Sequence, residues 1–258
     1  MMSEGRKVAV VSGANRGIGL EIARKLAHAG LEVIAGSRDL AAGREVAKAI
    51  GARAVALDVT DRASIGALAD ELERVDVLVN NAGIAMQGFD ATVARRTIEV
   101  NFFGPMHLTD TLLPKMAQGA RIVMVSSGQG ELSRFGPRVR RCFESETLTR
   151  DELVTFVESF VLDVQAGTHE QRGWPSSAYS VSKGALNALT RMMARELEDD
   201  PRTIRVNAAC PGWVATRMGG ASAPRTPEEG ADTPVWLALE APSELTGLFF
   251  RDRQRIPF

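Results

Sequence analysis

Six short runs rich in Val, Ile and Ala recur along the chain with helix-length stretches between them, and this alternation decides most of what the chain can become. The runs are residues 7–11, 32–35, 54–57, 75–79, 121–125 and 204–208, with a last short strand expected at 248–250. Strands separated by helices return in the same direction, so they build a parallel sheet with helices on its faces. Val8-Ala9-Val10-Val11 is apolar at every position rather than at alternate ones, which suits a strand covered on both sides. The expected fold class is α/β, a doubly wound parallel sheet in three layers. With 258 residues and no Pro/Ser/Gly-rich linker, one domain spanning residues 1–258 is expected.

Helix ends are legible. Gly30 stops the stretch ending at Ala29, Asp39 precedes Leu40 to Ile50 as an N-cap, Asp61 opens Arg62 to Leu72, and a long helix runs from about Ser177 to Glu198. One segment breaks the alternation. Between Ser127 and the helix carrying Tyr179 lie about fifty residues, where such connections usually take about two to six. Within this insertion, about residues 128–175, Leu153, Val154, Phe156, Val157, Phe160, Val161 and Val164 follow a helical period. Thr149 is the expected N-cap, with Glu152 as its capping-box partner.

Composition removes several function classes. The 31 Lys+Arg nearly balance 32 Asp+Glu, and the cluster Arg138, Arg140, Arg141 is answered by Glu144 and Glu146, so no nucleic-acid partner is expected. Two cysteines, Cys142 and Cys210, are too few for a disulfide framework and point to a reduced, cytoplasmic setting. His28, His107 and His169 have no ligand spacing, so no metal is expected. No apolar run approaches the roughly 18 residues of a membrane span, and Val8 to Val11 is too short for a signal-peptide core.

The first strand runs into Ser12-Gly13-Ala14-Asn15-Arg16-Gly17-Ile18-Gly19 and then a helix. Glycines let backbone approach a pyrophosphate, and a helix N-terminus offers unpaired N–H groups at the positive end of its dipole. A tight strand-to-helix turn without a ligand is the alternative reading at this point. The second strand ends at Ser37-Arg38-Asp39. An acid there would hold the ribose hydroxyl of NAD, whereas arginine pairs with the extra phosphate of NADP. Asp39 is expected to cap a helix, so Arg38, with Arg16 in the turn, favours NADP over the alternative of ordinary surface arginines. Asn80-Asn81-Ala82-Gly83 ends the fourth strand with small residues at its carboxyl end, where ligands of open α/β sheets bind, with a simple turn as the alternative.

Tyr179, the single tyrosine, stands four residues before Lys183, one of only five lysines. On a helix this spacing puts both side chains on one face. A phenol titrates at about pH 10, and an adjacent ammonium favours the phenolate, so such a pair can deliver a proton near neutrality. Ser126 and Ser127 end the fifth strand beside the same crevice, where one hydroxyl is placed to hydrogen-bond a carbonyl oxygen. Asn101 interrupts a helical pattern that asparagine disfavours. Taken singly, the serines also read as an ordinary strand end and Asn101 as a cap or kink.

Jointly, Gly13-x-x-x-Gly17-x-Gly19, Asn80-Asn81-Ala82-Gly83, Asn101, Ser127, Tyr179-x-x-x-Lys183 and Pro211-Gly212 stand in the order of one family. Over nearly its whole length the chain resembles the short-chain dehydrogenases/reductases. Gly173-Trp174-Pro175-Ser176-Ser177-Ala178-Tyr179 and Cys210-Pro211-Gly212-Trp213-Val214 are similar to the NADPH-dependent carbonyl reductase and menthone reductase subgroup. The resemblance implies a Rossmann-like fold and NADPH (NADP+) as cofactor, held by Gly13, Asn15, Arg16, Gly17, Ile18, Gly19, Arg38, Asn81, Ala82, Gly83, Pro211 and Gly212. Asp58 and Val59 would flank the adenine, and the backbone around Val214 and Thr216 the carboxamide.

By the same resemblance, Tyr179 would protonate a carbonyl oxygen oriented by Ser127, Lys183 would lower the tyrosine's pKa and hold the nicotinamide ribose, and Asn101 would anchor a relay water. The substrate pocket is expected to be lined by the insertion, Trp213, Met86 and the loop 217–224. Trp213 as plain core and Cys210 as an inert buried thiol are the alternatives. The implied activity is reduction of a small-molecule aldehyde, ketone or quinone. A dedicated terpenoid- or steroid-type alcohol dehydrogenase and a non-catalytic NADP-binding sensor are the rivals. An insertion beside the tyrosine helix would obstruct the usual oligomer contacts, so a monomer is expected.

Overall fold

The computed structural model describes residues 6–258; the expectation about a leader at the N-terminus lies partly outside them. In chain order the elements are β1 (Val8–Ser12), α1 (Gly17–His28), β2 (Glu32–Ser37), α2 (Leu40–Ile50), β3 (Arg53–Ala56), α3 (Arg62–Asp70), β4 (Val75–Asn80), α4 (Ala91–Ile98) and α5 (Gly104–Leu112). There follow β5 (Met116–Val125), α6 (Pro137–Glu144), α7 (Arg150–Gln165), α8 (Ala178–Glu196), β6 (Arg205–Ala209), α9 (Pro227–Gly230), α10 (Asp232–Leu239), β7 (Phe249–Arg251) and β8 (Gln254–Ile256). The sheet order is β3-β2-β1-β4-β5-β6-β7-β8, parallel until β8, which runs antiparallel to β7. The order reverses at β1, between β2 and β4, and there the carboxyl ends of the strands leave a crevice.

The unbroken apolar strands have a direct explanation. Successive residues point to opposite faces, so Val10 and Leu78 enter the core on one side of the sheet while Val11, Val77 and Val79 enter the core on the other. The anticipated caps are present: Asp39 accepts from the Ala42 N–H, Asp61 from Ala63, and Ser177 from Ser180 at the head of α8.

Three features depart from the sequence reading. β5 begins at Met116, five residues earlier than the run at 121 suggested, and its pairing with β4 shifts register between Val75 and Val77. β8 was not anticipated. It is short and polar, and its turn places Asp252 and Arg253 at φ 53° and 59°, the left-handed pair of a tight hairpin without the usual glycine. α6 was also missed, because arginines flank the buried pair Val139 and Phe143, four residues apart, on which it packs.

The insertion packs beside the sheet as α6 and α7 against α8, with α7 also touching α4. A Cβ on Gly184 of α8 would lie 2.6 Å from the Phe135 ring, so this glycine lets the insertion approach closely. Phe143, Phe156 and Phe160 surround Trp174, whose indole N–H donates to Asp163 at 3.0 Å. At the start of α7, Arg150 reaches both Asp110 of α5 and Glu196 of α8. The Thr149–Glu152 capping box is present. Thr149→Ala is expected to cost about 1 kcal/mol and to lower the melting temperature by about 2–4 °C, measured by calorimetry.

Candidate active site

The turn after β1 needs its glycines. Gly13 and Gly17 adopt φ of 67° and 55°, and a Cβ on Gly19 would lie 2.3 Å from the Gly13 carbonyl oxygen. The turn is tied to the end of β4: Asn81 Nδ2 donates to the carbonyls of Ser12 and Gly13 at 2.9 and 3.1 Å, and Ser12 Oγ accepts the N–H groups of Asn81 and Ala82, both at 3.0 Å. A Cβ on Gly13 would meet the Ala82 backbone at 3.0 Å. Two bare backbone segments therefore face a cleft of about 720 Å³ in front of α1, which has no side-chain cap and no acid in its first turn. Asn15, Arg16 and Ile18 line it with the glycines. The cradle fits a pyrophosphate, which accepts backbone N–H groups and favours the positive helix end.

At the far end of the cleft the exposed side chains of Arg16 and Arg38 meet Asp58 and Val59. Burial works to raise the Asp58 carboxyl, but hydrogen bonds from Thr60 and the charges of Arg38 and Arg96 hold it below the usual carboxylate range. Asp39 lines the cleft too, with its carboxylate engaged by Ala42 N–H at 3.0 Å as the cap of α2.

At the other end, α8 presents Tyr179 and Lys183 one turn apart. Lys183 is buried, donates from Nζ to the Val125 carbonyl at 2.8 Å, and lies 5.7 Å from the centre of the Tyr179 ring. Burial pushes its ammonium down from 10.5 to about 8. Burial pushes the Tyr179 phenol up, and a hydrogen bond with Ser127 pulls it the other way. The lowering expected from the Tyr179–Lys183 spacing is absent: burial dominates, and the only lowering influence is the hydrogen bond with Ser127.

The adjacent serines separate. Ser126 is buried and donates to Asn187 Oδ1 at 2.6 Å, whereas Ser127 lies beside Tyr179 on the pocket that adjoins the cleft. Asn101 sits in a π-helical turn, Glu99–Phe103. Its amide accepts from and donates to the backbone of Ile84, both at 2.8 Å, and donates to Ser182 Oγ at 3.0 Å. Ser182 in turn donates to the Tyr179 carbonyl at 2.8 Å. Both amide hydrogens of Asn101 are committed to joining the segment after β4 to α8, while its Oδ1 accepts one hydrogen bond and keeps a second acceptor site. Gly83 lies between them: a Cβ there would be 3.3 Å from Asn101 Oδ1 and 3.8 Å from Lys183 Nζ.

A second pocket of about 780 Å³ adjoins the cleft at Tyr179 and contains Ser127, Gly212 and Val214, with Ile18, Pro211 and Thr216 shared by both. Trp213 lines it and is 56% exposed, so it is not core. The lining of this pocket differs from the expected set in two places. Met86 lies along the nucleotide cleft instead, because its segment follows the β4 end. Of the insertion only residues 128–134 reach the pocket, since the apolar faces of α6 and α7 are spent on α8 and α4; of the loop 217–224 only Arg217, Met218 and Gly219 line either space.

A family model described as short chain dehydrogenase matches residues 7–138, and one described as enoyl-(acyl carrier protein) reductase matches 163–247. The chain belongs to the short-chain dehydrogenase/reductase family. The stretch between the two matches holds most of α6 and α7, the part by which this member departs from the general family pattern. Human carbonyl reductase [NADPH] 1 is 42% identical over 259 residues, covering 93% of this chain and 94% of that protein. Salutaridine reductase from Papaver somniferum superposes with a TM-score of 0.88 at 30% identity, over 96% of this chain and 100% of that one. Menthone neomenthol reductase from Mentha piperita gives 0.83 at 31%, over 96% and 99%. Among the residues that support this short-chain dehydrogenase/reductase site, Ser182 and Asn187 were missed by sequence reasoning. Their α8 spacing to Tyr179 and Lys183 was visible, but their partners come from distant segments.

Proposed function

We propose that this protein is an NADPH-dependent reductase of small-molecule aldehydes, ketones or quinones. The observation that carries the reading is the convergence of Ser127, Tyr179 and Lys183 where the nucleotide cleft meets the second pocket. The 42% identity to a carbonyl reductase [NADPH] supports it. NADPH, when bound, supplies the hydride. A carbonyl oxygen seated between Ser127 and Tyr179 accepts two hydroxyl hydrogen bonds, and charge developing on it draws the proton from the phenol. The raised pKa of Tyr179 keeps that proton in place until the oxygen turns basic. Lys183 holds positive charge behind the phenol and stabilises the phenolate left afterwards. Asn101 keeps the β4 end and α8 in register, so the acid stays fixed relative to the cleft.

Arg16 and Arg38 would pair with the 2′-phosphate, since guanidinium matches a phosphate's oxygens. Arg38→Ala is expected to raise the KM for NADPH about 10–100-fold and to leave that for NADH within a few-fold; equal effects on both would remove the arginine from phosphate recognition. The activity itself is tested by NADPH consumption over a panel of aldehydes, quinones and cyclic ketones. Failure to turn over any of them, despite NADPH binding, would favour a sensor.

Packing of α6 and α7 on α8 supports a monomer, because the tyrosine helix is covered within its own chain. Sedimentation should give 27.8 kDa rather than a multiple. A sheet that gathers strands from Val8 to Ile256 supports one domain. Free Cys142 and Cys210 support a reducing cytoplasmic setting, and no helix among the described residues is long and apolar enough to cross a membrane.

A further inference from the structure

A side chain on the residue after Ser127, Gly128, would displace its neighbours. A Cβ on Gly128 would lie 2.5 Å from Arg251 Nη2 and 2.9 Å from Glu131 Oε1, so the Arg251 guanidinium, carried on β7, occupies the space beside the serine. Arg251 is held there by donating from Nε to Cys210 Sγ at 3.3 Å, while Gly128 N–H donates to the same sulfur. Its contact with Glu131 is 3.4 Å, longer than the about 2.7–2.9 Å of a tight charge-assisted bond, and its Nη1 makes no hydrogen bond with another described residue.

Arg134 stands exposed in the same pocket, with no side-chain hydrogen bond or ion pair among the described residues. Arg225 is neutralised by Asp252, which it meets at 2.6 and 2.8 Å. Against the two remaining guanidiniums the pocket wall offers one carboxylate, Glu131. The same pocket exposes Trp213 and Met218, 56% and 49% accessible, among the few large apolar side chains left uncovered on the described surface. Unspent cations beside uncovered apolar groups match a ligand with an anionic end and an apolar body.

We propose that this pocket selects carbonyl compounds bearing a carboxylate a few atoms from the carbonyl group, with Arg251 and Arg134 as its partners and Trp213 and Met218 covering the apolar body. The proposal rests on the reductase reading above and names its substrate class. Guanidinium forks pair with carboxylates through two parallel hydrogen bonds, and a neutral ester of the same shape forfeits them.

The test compares kcat/KM with NADPH for 4-formylbenzoate and for its methyl ester. The wild-type protein should prefer the acid by about 10-fold or more. In Arg134→Gln that acid-to-ester ratio should fall about tenfold, with partial recovery in Arg134→Lys and weakening of the preference by salt. A merely structural role would lower both substrates together and leave the ratio alone. A ratio unchanged in both Arg134→Gln and Arg251→Gln, or an ester preferred by the wild type, overturns the proposal. If neither compound is reduced, the carbonyl panel above decides the reductase reading separately, and calorimetric titration of 4-(hydroxymethyl)benzoate into the NADP+-saturated protein decides the subsite. Saturable binding weakened at least tenfold by Arg134→Gln upholds it; absence of binding, or binding indifferent to the variant, overturns it.

Discussion

Tyr179→Phe should lower kcat/KM for carbonyl reduction by about 10²–10⁴-fold while NADPH still saturates the protein. The change removes one oxygen from a half-buried ring at the junction of the two pockets and leaves the packing of α8 in place. No other phenol exists in the chain to take over. Its nearest hydroxyl, on Ser127, is far too weak an acid to replace it. Stopped-flow NADPH oxidation with a saturating carbonyl measures the effect. Turnover within tenfold of wild type would show that the proton comes from elsewhere.

Lys183→Met should abolish most activity and yet make the cofactor-free protein more stable at pH 7, by about 2 kcal/mol. Burial lowers the Lys183 pKa from 10.5 to about 8. At about 1.4 kcal/mol per unit, holding that ammonium in the folded state costs about 3 kcal/mol. Methionine removes the cost but leaves the Val125 carbonyl without its donor, which returns about 1 kcal/mol. Below pH 8 both folded and unfolded wild-type chains are protonated at this position, so the penalty is complete. Between pH 8 and 10.5 the folded chain releases its proton first, and wild-type stability rises with pH. The advantage of the variant should therefore shrink over that window, as urea titrations at pH 7 and 10 can measure. An advantage equal at both pH values would show that the ammonium is not the source. The activity of the wild type should fall as pH rises through about 8, where Lys183 loses its charge.

Both predictions rest on residues that were legible in the sequence. Glycines at positions 13, 17 and 19 announce the cradle because few other residues tolerate that backbone, and Tyr179 and Lys183 announce the proposed acid pair because helical spacing fixes their face. The capping residues Asp39, Asp61, Thr149 and Ser177 were legible for the same reason, since a cap acts within three residues of itself. The residues alone left Ser126 and Ser127 open, and only the family resemblance pointed to Ser127, because the choice depends on which hydroxyl Asn187 captures from 61 residues away.

The second pocket shows the limit most plainly. Position along the chain suggested that the insertion would roof it, but α6 and α7 bury their apolar faces against α8 and α4, and only residues 128–134 remain at the rim. In their place Arg251 arrives from β7 and Cys210 from the end of β6, through a space opened by Gly128. By itself the sequence determined the alternating strands, the caps, the glycine cradle and the tyrosine–lysine pair, because each is a local pattern whose chemistry acts over a few residues. Only the tertiary structure decided how deeply Tyr179 and Lys183 are buried, which serine Asn187 captures and which arginines reach the second pocket. Those outcomes follow from the desolvation and packing of segments far apart in the chain, which no local pattern encodes.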